Sequence, residues 1–487
     1  MADIKNHSTL PTSLVSYWDL EEASGTRYDL VGSNNLTDTN TVAGATGLVG
    51  EGASYTYANS EVLETASNLG ITGGVCSVSM WVKLSTEITS GKWGFFSQGD
   101  AGTDVQFGIG YDYNGGTQRI YVNRQKQNTS NNPIYNTVTL GTSDWHHIVL
   151  TYDGSTLEGF YNGTSFGTLS TSGNGASSGV NHFNIGQDQT GFADYCTAYI
   201  DEVGVWNKAI TADEVSDLYN SGSGLPYYDP ADIKNDTDLT TNLISYWEME
   251  QATAATATDS HGTNDLTNSS TGSGVTSATG ILNQGADFEE GNDEYFYKSD
   301  PGSWDLDIGG DMSISGWFKL ESLITGQHYV FMRDSGDPNR NWAFGFLESS
   351  GDNLTMYNSS AGTNATTTSL RSVPTGTLST GVWYHLVWVY DASAGQMEAY
   401  VDGVSKGTVA GLNTSMYTGG TARFTFGQYS ANPAAGLGYD GVIDETAIYD
   451  KALTVAEVRA LYGYGTPPVY EAATSTQSEN ALAWCSF

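Results

Sequence analysis

The sequence predicts an all-β chain of two tandem antiparallel β-sandwiches, each closing with a short helix, and three observations carry that prediction. The first is internal repetition, which decides architecture before any local pattern does. Tyr199 to Tyr219 (YIDEVGVWNKAITADEVSDLY) returns as Val442 to Tyr462 (VIDETAIYDKALTVAEVRALY), an offset of 444 − 201 = 243, and ADIKN at Ala2 to Asn6 returns letter for letter at Ala231 to Asn235. The second is composition. With 59 Gly and 30 Tyr but only 18 Lys plus Arg in 487 residues, the chain is rich in strand and turn formers and long enough for two full cores, which excludes a helix bundle. The third is period-two alternation in short runs bounded by Asx-Gly turns, the signature of hairpins.

Each element has its own reason. A polar lead, Ala2 to Thr12, enters a strand at Leu14 to Leu20 whose SYW, Ser16 to Trp18, recurs at Ser245 to Trp247. The loop SGTRYDLVGSNNLT (Ser24 to Thr37) aligns with TATDSHGTNDLTN (Thr256 to Asn268), pairing Asp29 with Asp259, Gly32 with Gly262, Asn34 with Asn264 and Asn35 with Asp265. Strands follow around Ala53 to Tyr57 and Ala286 to Phe288, then SVSMWVKL at Ser77 answers SISGWFKL at Ser313. Gly108 to Tyr113 and Phe344 to Phe346 read as further strands between Gly and Asn turns. WHHIVLTYD at Trp145 answers WYHLVWVYD at Trp383, and LEGFYNG at Leu157 answers MEAYVDG at Met397. The intervening Asp153-Gly154 pair, and Asn162-Gly163 or Asp402-Gly403 after it, suit turns that need positive φ. HFNIGQ at His182 and RFTFGQ at Arg423 supply one more strand each before the closing strand. Thr211 three residues before Glu214, and Thr454 three before Glu457, open the closing helices with capping boxes. Val215, Leu218 and Tyr219, like Val458, Leu461 and Tyr462, fall on one helical face. The expected domains are residues 1–224 and 225–465, with 466–487 a linker-like tail.

Charge narrows the partners. A formal charge of −37 opposes nucleic acid and anionic membranes, because neutralising phosphate requires clustered Lys and Arg, and no apolar run approaches the roughly 20 residues that span a bilayer. Cys76, Cys196 and Cys485 form no metal spacing and no even disulfide framework. Cys76 aligns with Met312 and Cys196 with Tyr439, so both occupy apolar strand slots. They read as buried thiols, with a Cys76 to Cys196 bridge as the alternative.

The ordered set of SYW followed by an acid, an Asp-Gly-Asn loop, the S-x-S-x-W strand, the W-x-H-x-V-x-x-Y-D strand and IDE before a capped helix resembles the laminin G-like jelly roll of the concanavalin A-like lectin and glucanase superfamily. It covers nearly all of Leu14 to Tyr219 and of Leu243 to Tyr462. The resemblance implies two sheets packed face to face, with the tryptophans and alternating aliphatics between them. It also implies that the first-strand loop and the IDE strand lie close together and can bind calcium. Asp29, Asn34 and Asp201 in copy one, and Asp259, Asn264 and Asp444 in copy two, are the expected ligands of a structural calcium, with turn capping as the rival role. Glu202 and Glu445 beside them are expected to face solvent.

Catalysis is not expected. Glucanases on this fold set carboxylates along one strand, and no E-x-D-x-E run is found on one. Glu289, Glu290, Asp293 and Glu294 cluster around Gly291-Asn292 and read as a solvated loop, the matching stretch Gly50 to Tyr57 holding only Glu51. His146 and His147, answered only by His385, read as strand packing. Tyr111, Tyr113, Tyr121 and Tyr135 are open between stacking on sugars and cross-strand packing. The expectation is a non-enzymatic structural and surface-binding protein without a signal peptide, made in a host cytoplasm and carried on a bacteriophage virion as capsid decoration, tail or fibre. Its partners would be other virion subunits and cell-surface glycans. The alternatives are a secreted carbohydrate-binding adhesin and, third, a glycoside hydrolase.

Overall fold

The computed structural model describes residues 3–67, 69, 71, 74–100, 104–124, 132–170, 181–188, 194–228, 233–250, 256–269, 274–301, 304–322, 326–348, 352–429, 437–465 and 467–470. Cys485 and the apolar tip at 481–487 lie outside them. The chain divides into two compact units, Met1–Asp229 and Pro230–Phe487, as the repeat requires.

In the first unit one sheet runs Thr164–Ser170, Thr156–Tyr161, His146–Tyr152, Cys76–Leu84, Ala198–Trp206, Glu51–Tyr55, Ala43–Thr46, with Leu14–Trp18 also pairing with Ala198–Trp206. The other runs Asn132–Thr137, Thr117–Arg124, Asp104–Asn114, Gly91–Asp100, Asn181–Ile185, Val62–Thr65, Thr37–Thr39. The second unit repeats both orders: Gly441–Tyr449 again sits between Met312–Leu320 and Gln284–Phe288, and Phe424–Phe426 between Gln327–Asp334 and Phe296–Lys298. All pairs are antiparallel, and the inward residues of facing strands, such as Val78, Met80 and Val82 against Phe96, Ile109 and Val122, form one core per sandwich.

The closing helices, Ala212–Tyr219 and Val455–Tyr462, carry the expected capping boxes, with Thr211 and Glu214, and Thr454 and Glu457, satisfying each other's backbone N–H groups. Both lie on the outer face of the first sheet, and this corrects the expected place of some tryptophans. Trp18, Trp247 and Trp388 do lie between sheets. Trp81 and Trp317, one residue out of phase with the core positions beside them, point the other way. Trp81 stacks on Tyr219 at 5.7 Å and His147 at 4.9 Å; Trp317 meets Tyr462 at 5.7 Å and His385 at 5.3 Å. The helix is thus fastened to the sheet by an aromatic stack.

Each unit is closed by a clasp that the repeated motifs do not reveal. The amides of Ile4 and Lys5 donate to the carbonyls of Pro226 and Tyr227, and those of Ile233 and Lys234 to Val469 and Tyr470. Tyr227 stacks on Tyr17 at 5.4 Å, and Tyr470 on Tyr246 at 4.9 Å. The first sandwich therefore keeps Leu225, Tyr227 and Tyr228, all buried, beyond the expected boundary at 224, and Tyr470 is core to the second sandwich instead of tail. Replacing Tyr227 or Tyr470 with Ala should cost about 3 kcal/mol, the range for a buried aromatic, in urea unfolding. An unchanged midpoint for Tyr470→Ala would return residues 467–470 to a linker.

Candidate functional site

The six expected ligands fall into two separate arrangements in each copy. The Asp29 carboxylate accepts from the backbone N–H of Tyr17 and Val31 (3.1 Å each) and of Asn34 (3.0 Å), and Asp259 accepts from Tyr246, His261, Gly262 and Asn264 at 2.9–3.1 Å. Asn34 and Asn264 donate to Ser16 and Ser245, each at 2.8 Å. Asp201 instead holds the hairpin turn after Ala43–Thr46, through the amides of Leu48 (2.6 Å) and Val49 (3.2 Å), and Asp444 does the same for Ile281 and Leu282. Calcium requires six to eight oxygens converging with free lone pairs. The four aspartate carboxylates face N–H donors, so the set does not fit a calcium cage and fits turn capping.

Glu202 and Glu445 correct an expectation. They are 2% and 6% exposed, not solvent-facing. The closing strand carries a bulge between Asp201 and Gly204, where Glu202 takes φ +50°, as Glu445 takes +45°, and both side chains are buried against Tyr17 and Tyr246 beneath the clasp. Tyr17 donates its hydroxyl to Glu202, and Tyr246 to Glu445 at 2.5 Å. Burial, then the neighbouring Asp201 or Asp444, pushes both glutamates well above the usual carboxylate range. Asp444 itself is pushed up to about 8 by burial.

The histidines pack, as expected. His147 and His385 are buried, and each shares a 2.8 Å hydrogen bond with Ser79 or Ser315 beneath the helix stack. Burial lowers both to about 3, so they are neutral spacers with no solvent to reach as bases. Tyr111 and Tyr121 are core residues, Tyr121 donating to Asp188 at 2.8 Å, and Arg119 covers the ring of Tyr135 at 3.7 Å. Cys76 and Cys196 are buried free thiols and not a bridge.

What the sequence did not single out is a cleft of about 530 Å³ at one rim of the first sandwich. Three connections that pass from one sheet to the other build it: Thr56 to Ala58, Glu87 to Ser90, and Asp194 to Thr197, over Lys92 and Trp93. Backbone bonds lock the arches together, Gly94 N–H to Asp194 carbonyl at 2.9 Å and Tyr57 N–H to the Thr197 hydroxyl at 2.9 Å. Tyr57 is 42% exposed, the one aromatic ring among the described residues that stands well out into solvent, and Tyr195 meets it edge-on at 6.3 Å. Glu87, Asp194 and Lys92 supply polar partners beside it. Burial raises the Asp194 carboxyl above its ordinary range, and Lys92 partly offsets this. Such a rim offers an apolar face with hydrogen-bonding groups at its edge. A second cleft in this unit, about 600 Å³ and lined by His7, Asn162, Asp217 and Tyr219 among others, lacks a free ring, since Tyr219 is spent on Trp81.

At the same rim of the second sandwich stand Asp287, Glu289, Glu290, Glu321 and Asp440. Asp287, Glu289 and Glu321 are the only group among the described residues with three such ligand atoms within 4.8 Å of one another. The acids there raise Glu321, after its burial. The structure also corrects the alignment of this loop: Glu289 corresponds to Thr56 and Glu294 to Glu61, since the Glu61 carboxylate accepts from the Thr56 N–H as that of Glu294 accepts from the Glu289 N–H.

A family model of laminin G type, described as the concanavalin A-like lectin/glucanases superfamily, matches residues 52–216 and 290–459. No curated protein matches. Solved structures similar to the chain include domain 4 of AbnA, a GH43 extracellular arabinanase from Geobacillus stearothermophilus, in complex with arabinotriose (22% identity, 45% of this chain and 98% of that one, TM-score 0.34). They also include a heptameric SAP-like pentraxin from Limulus polyphemus (22%, 30% and 69%, TM-score 0.25) and the binding domain of Paraclostridial Mosquitocidal Protein 1 (11%, 87% and 99%, TM-score 0.37). These likenesses are too distant to carry a function across.

Two outcomes follow from this geometry. Asp29→Ala and Asp259→Ala should lower Tm equally in calcium and in chelator; a calcium-dependent Tm that these variants lose would restore the metal. His147 and His385 have folded pKa values of about 3 against an ordinary 6.5, so the unfolded chain binds more protons between these limits. Their contribution to stability is full above pH 6.5 and lost as pH falls toward 3. A His147→Gln, His385→Gln chain should be less stable at pH 7 yet show a shallower acid limb in urea unfolding, and an unaltered limb would mean that these imidazoles are not held neutral.

Proposed function

Because the chain belongs to the concanavalin A-like lectin/glucanase superfamily, we propose that it is a non-enzymatic carbohydrate-binding protein that works as a structural component of a bacteriophage virion, as capsid decoration, tail or fibre. The observation that carries the binding reading is the first sandwich's rim, where the exposed Tyr57 ring meets Glu87, Lys92 and Asp194 in a cleft of about 530 Å³. A pyranose or furanose ring has a C–H face that stacks on an aromatic ring and hydroxyls that reach flanking polar groups. Binding without chemistry agrees with the buried placement of the Ser79–His147 and Ser315–His385 pairs, which no substrate can approach.

The virion reading is supported by the two buried free thiols, which suit assembly in a reducing cytoplasm and leave each sandwich to be held by packing and its clasp. Partners are then neighbouring virion subunits and glycans of the cell surface. Titration against a panel of oligosaccharides should give binding, and incubation with the matching polysaccharides should release no reducing ends; steady release would make it a hydrolase. Mass spectrometry of purified particles should find the chain, while its recovery only from culture medium as free protein would favour a secreted adhesin.

A further inference from the structure

Resting on the carbohydrate-binding reading, we propose that the binding capacity resides in the first copy alone, one sugar per chain, and that the sugar is uncharged or amine-bearing. The duplication supplies an internal comparison, because the rims of the two sandwiches share a backbone. Tyr57–Asn59 and Glu290–Asn292 form the same 3-10 turn, ended by Ser60 at φ +57° and Asp293 at φ +54°. Asn59 and Asn292 donate to Glu61 and Glu294 alike. Gly94 binds the carbonyl of Asp194 as Tyr329 binds that of Leu437, which places Trp93 opposite His328 and Tyr195 opposite Gly438.

Upon that common frame the chemistry is replaced. The exposed ring of Tyr57 becomes Glu290, Trp93 becomes His328, and the Tyr195 ring is gone at Gly438. His328 shares a 2.6 Å hydrogen bond with the Gly438 carbonyl, and its Nδ1 lies 3.7 Å from a Glu290 carboxylate oxygen. Ser54, Thr56, Ser85 and Thr197 become Asp287, Glu289, Glu321 and Asp440. Among the described residues, none of the positions that match Tyr57, Trp93 and Tyr195 carries an apolar ring in the second rim, and its carboxylates repel one another and any anionic ligand. At the first rim the carboxylates Glu87 and Asp194 face a single cation, Lys92, on a chain of net charge −37. Carboxylates accept strongly from sugar hydroxyls and ammonium groups and repel uronic and sialic acids.

Calorimetric titration of the full chain with neutral gluco-, xylo- and arabino-oligosaccharides, chitosan oligomers, oligogalacturonides and sialyllactose tests this. The expected result is a stoichiometry near one for a neutral or amino sugar, about tenfold weaker binding in Tyr57→Ala, and unchanged binding in Glu290→Ala. A stoichiometry of two, binding kept by Tyr57→Ala but lost in Glu290→Ala, or a preference for oligogalacturonides or sialyllactose would overturn the proposal while leaving carbohydrate binding intact. No binding by any member of the panel would overturn both.

Discussion

The structure turns on the closing strand of each sandwich and on the acid pair inside it. Ala198–Trp206 lies between Cys76–Leu84 and its neighbours Glu51–Tyr55 and Leu14–Trp18, so it touches the start, middle and end of its unit. Asp201 reaches one way, to the amides of a hairpin turn, and Glu202 the other, to the hydroxyl of Tyr17. Tyr17 in turn stacks on Tyr227, whose carbonyl takes the Lys5 amide. One bulge therefore links the first strand, the last strand and the clasp. Burying two adjacent acids is expensive unless their oxygens are satisfied, and the fold answers mainly with N–H and O–H donors and raised pKa values. The same chain of contacts through Asp444, Glu445, Tyr246 and Tyr470 in the second unit shows it to be a property of the fold.

Most of this architecture was legible in the sequence because it rests on local signals that survive repetition. Capping boxes, Asx-Gly turns and the SYW, SxSxW and IDE strands each have a short-range cause, and all returned where expected. Glu202 and Glu445 were misread for a definable reason. An acid in a sheet suggests a solvent-facing side, but here that side is covered by the clasp, where Tyr17 and Tyr246 donate to the glutamates. Trp81 and Trp317 were misplaced because the outer face of a sheet is dry wherever a helix covers it, and alternation alone does not reveal the cover. The clasp is not legible in the sequence because Gly224 to Tyr227 and Pro467 to Tyr470, the stretches that correspond in it, share only the last tyrosine, while what recurs is backbone pairing.

The rim cleft was invisible for another reason. Its members Tyr57, Glu87 and Asp194 come from connections far apart in sequence and converge over Trp93 only because each connection crosses between the sheets at the same end. Repetition hides it, since residues alike in both copies are the ones that hold the scaffold. Asp29, Asp201 and their twins recur because two identical turns need identical caps. Tyr57 and Glu290 differ, and difference at a shared backbone position is where a duplicated domain is free to change its surface.

The clasp also bears on how such a chain can grow. Because the lead and the post-helix segment of a sandwich lie against each other, each repeat begins and ends at one edge and carries its own fastening. A further copy can be spliced in at that edge without breaking any strand pairing, and an existing copy can be reopened elsewhere and its old termini joined. Extension by whole modules, and circular permutation within one, are thus built into the way each module is tied off.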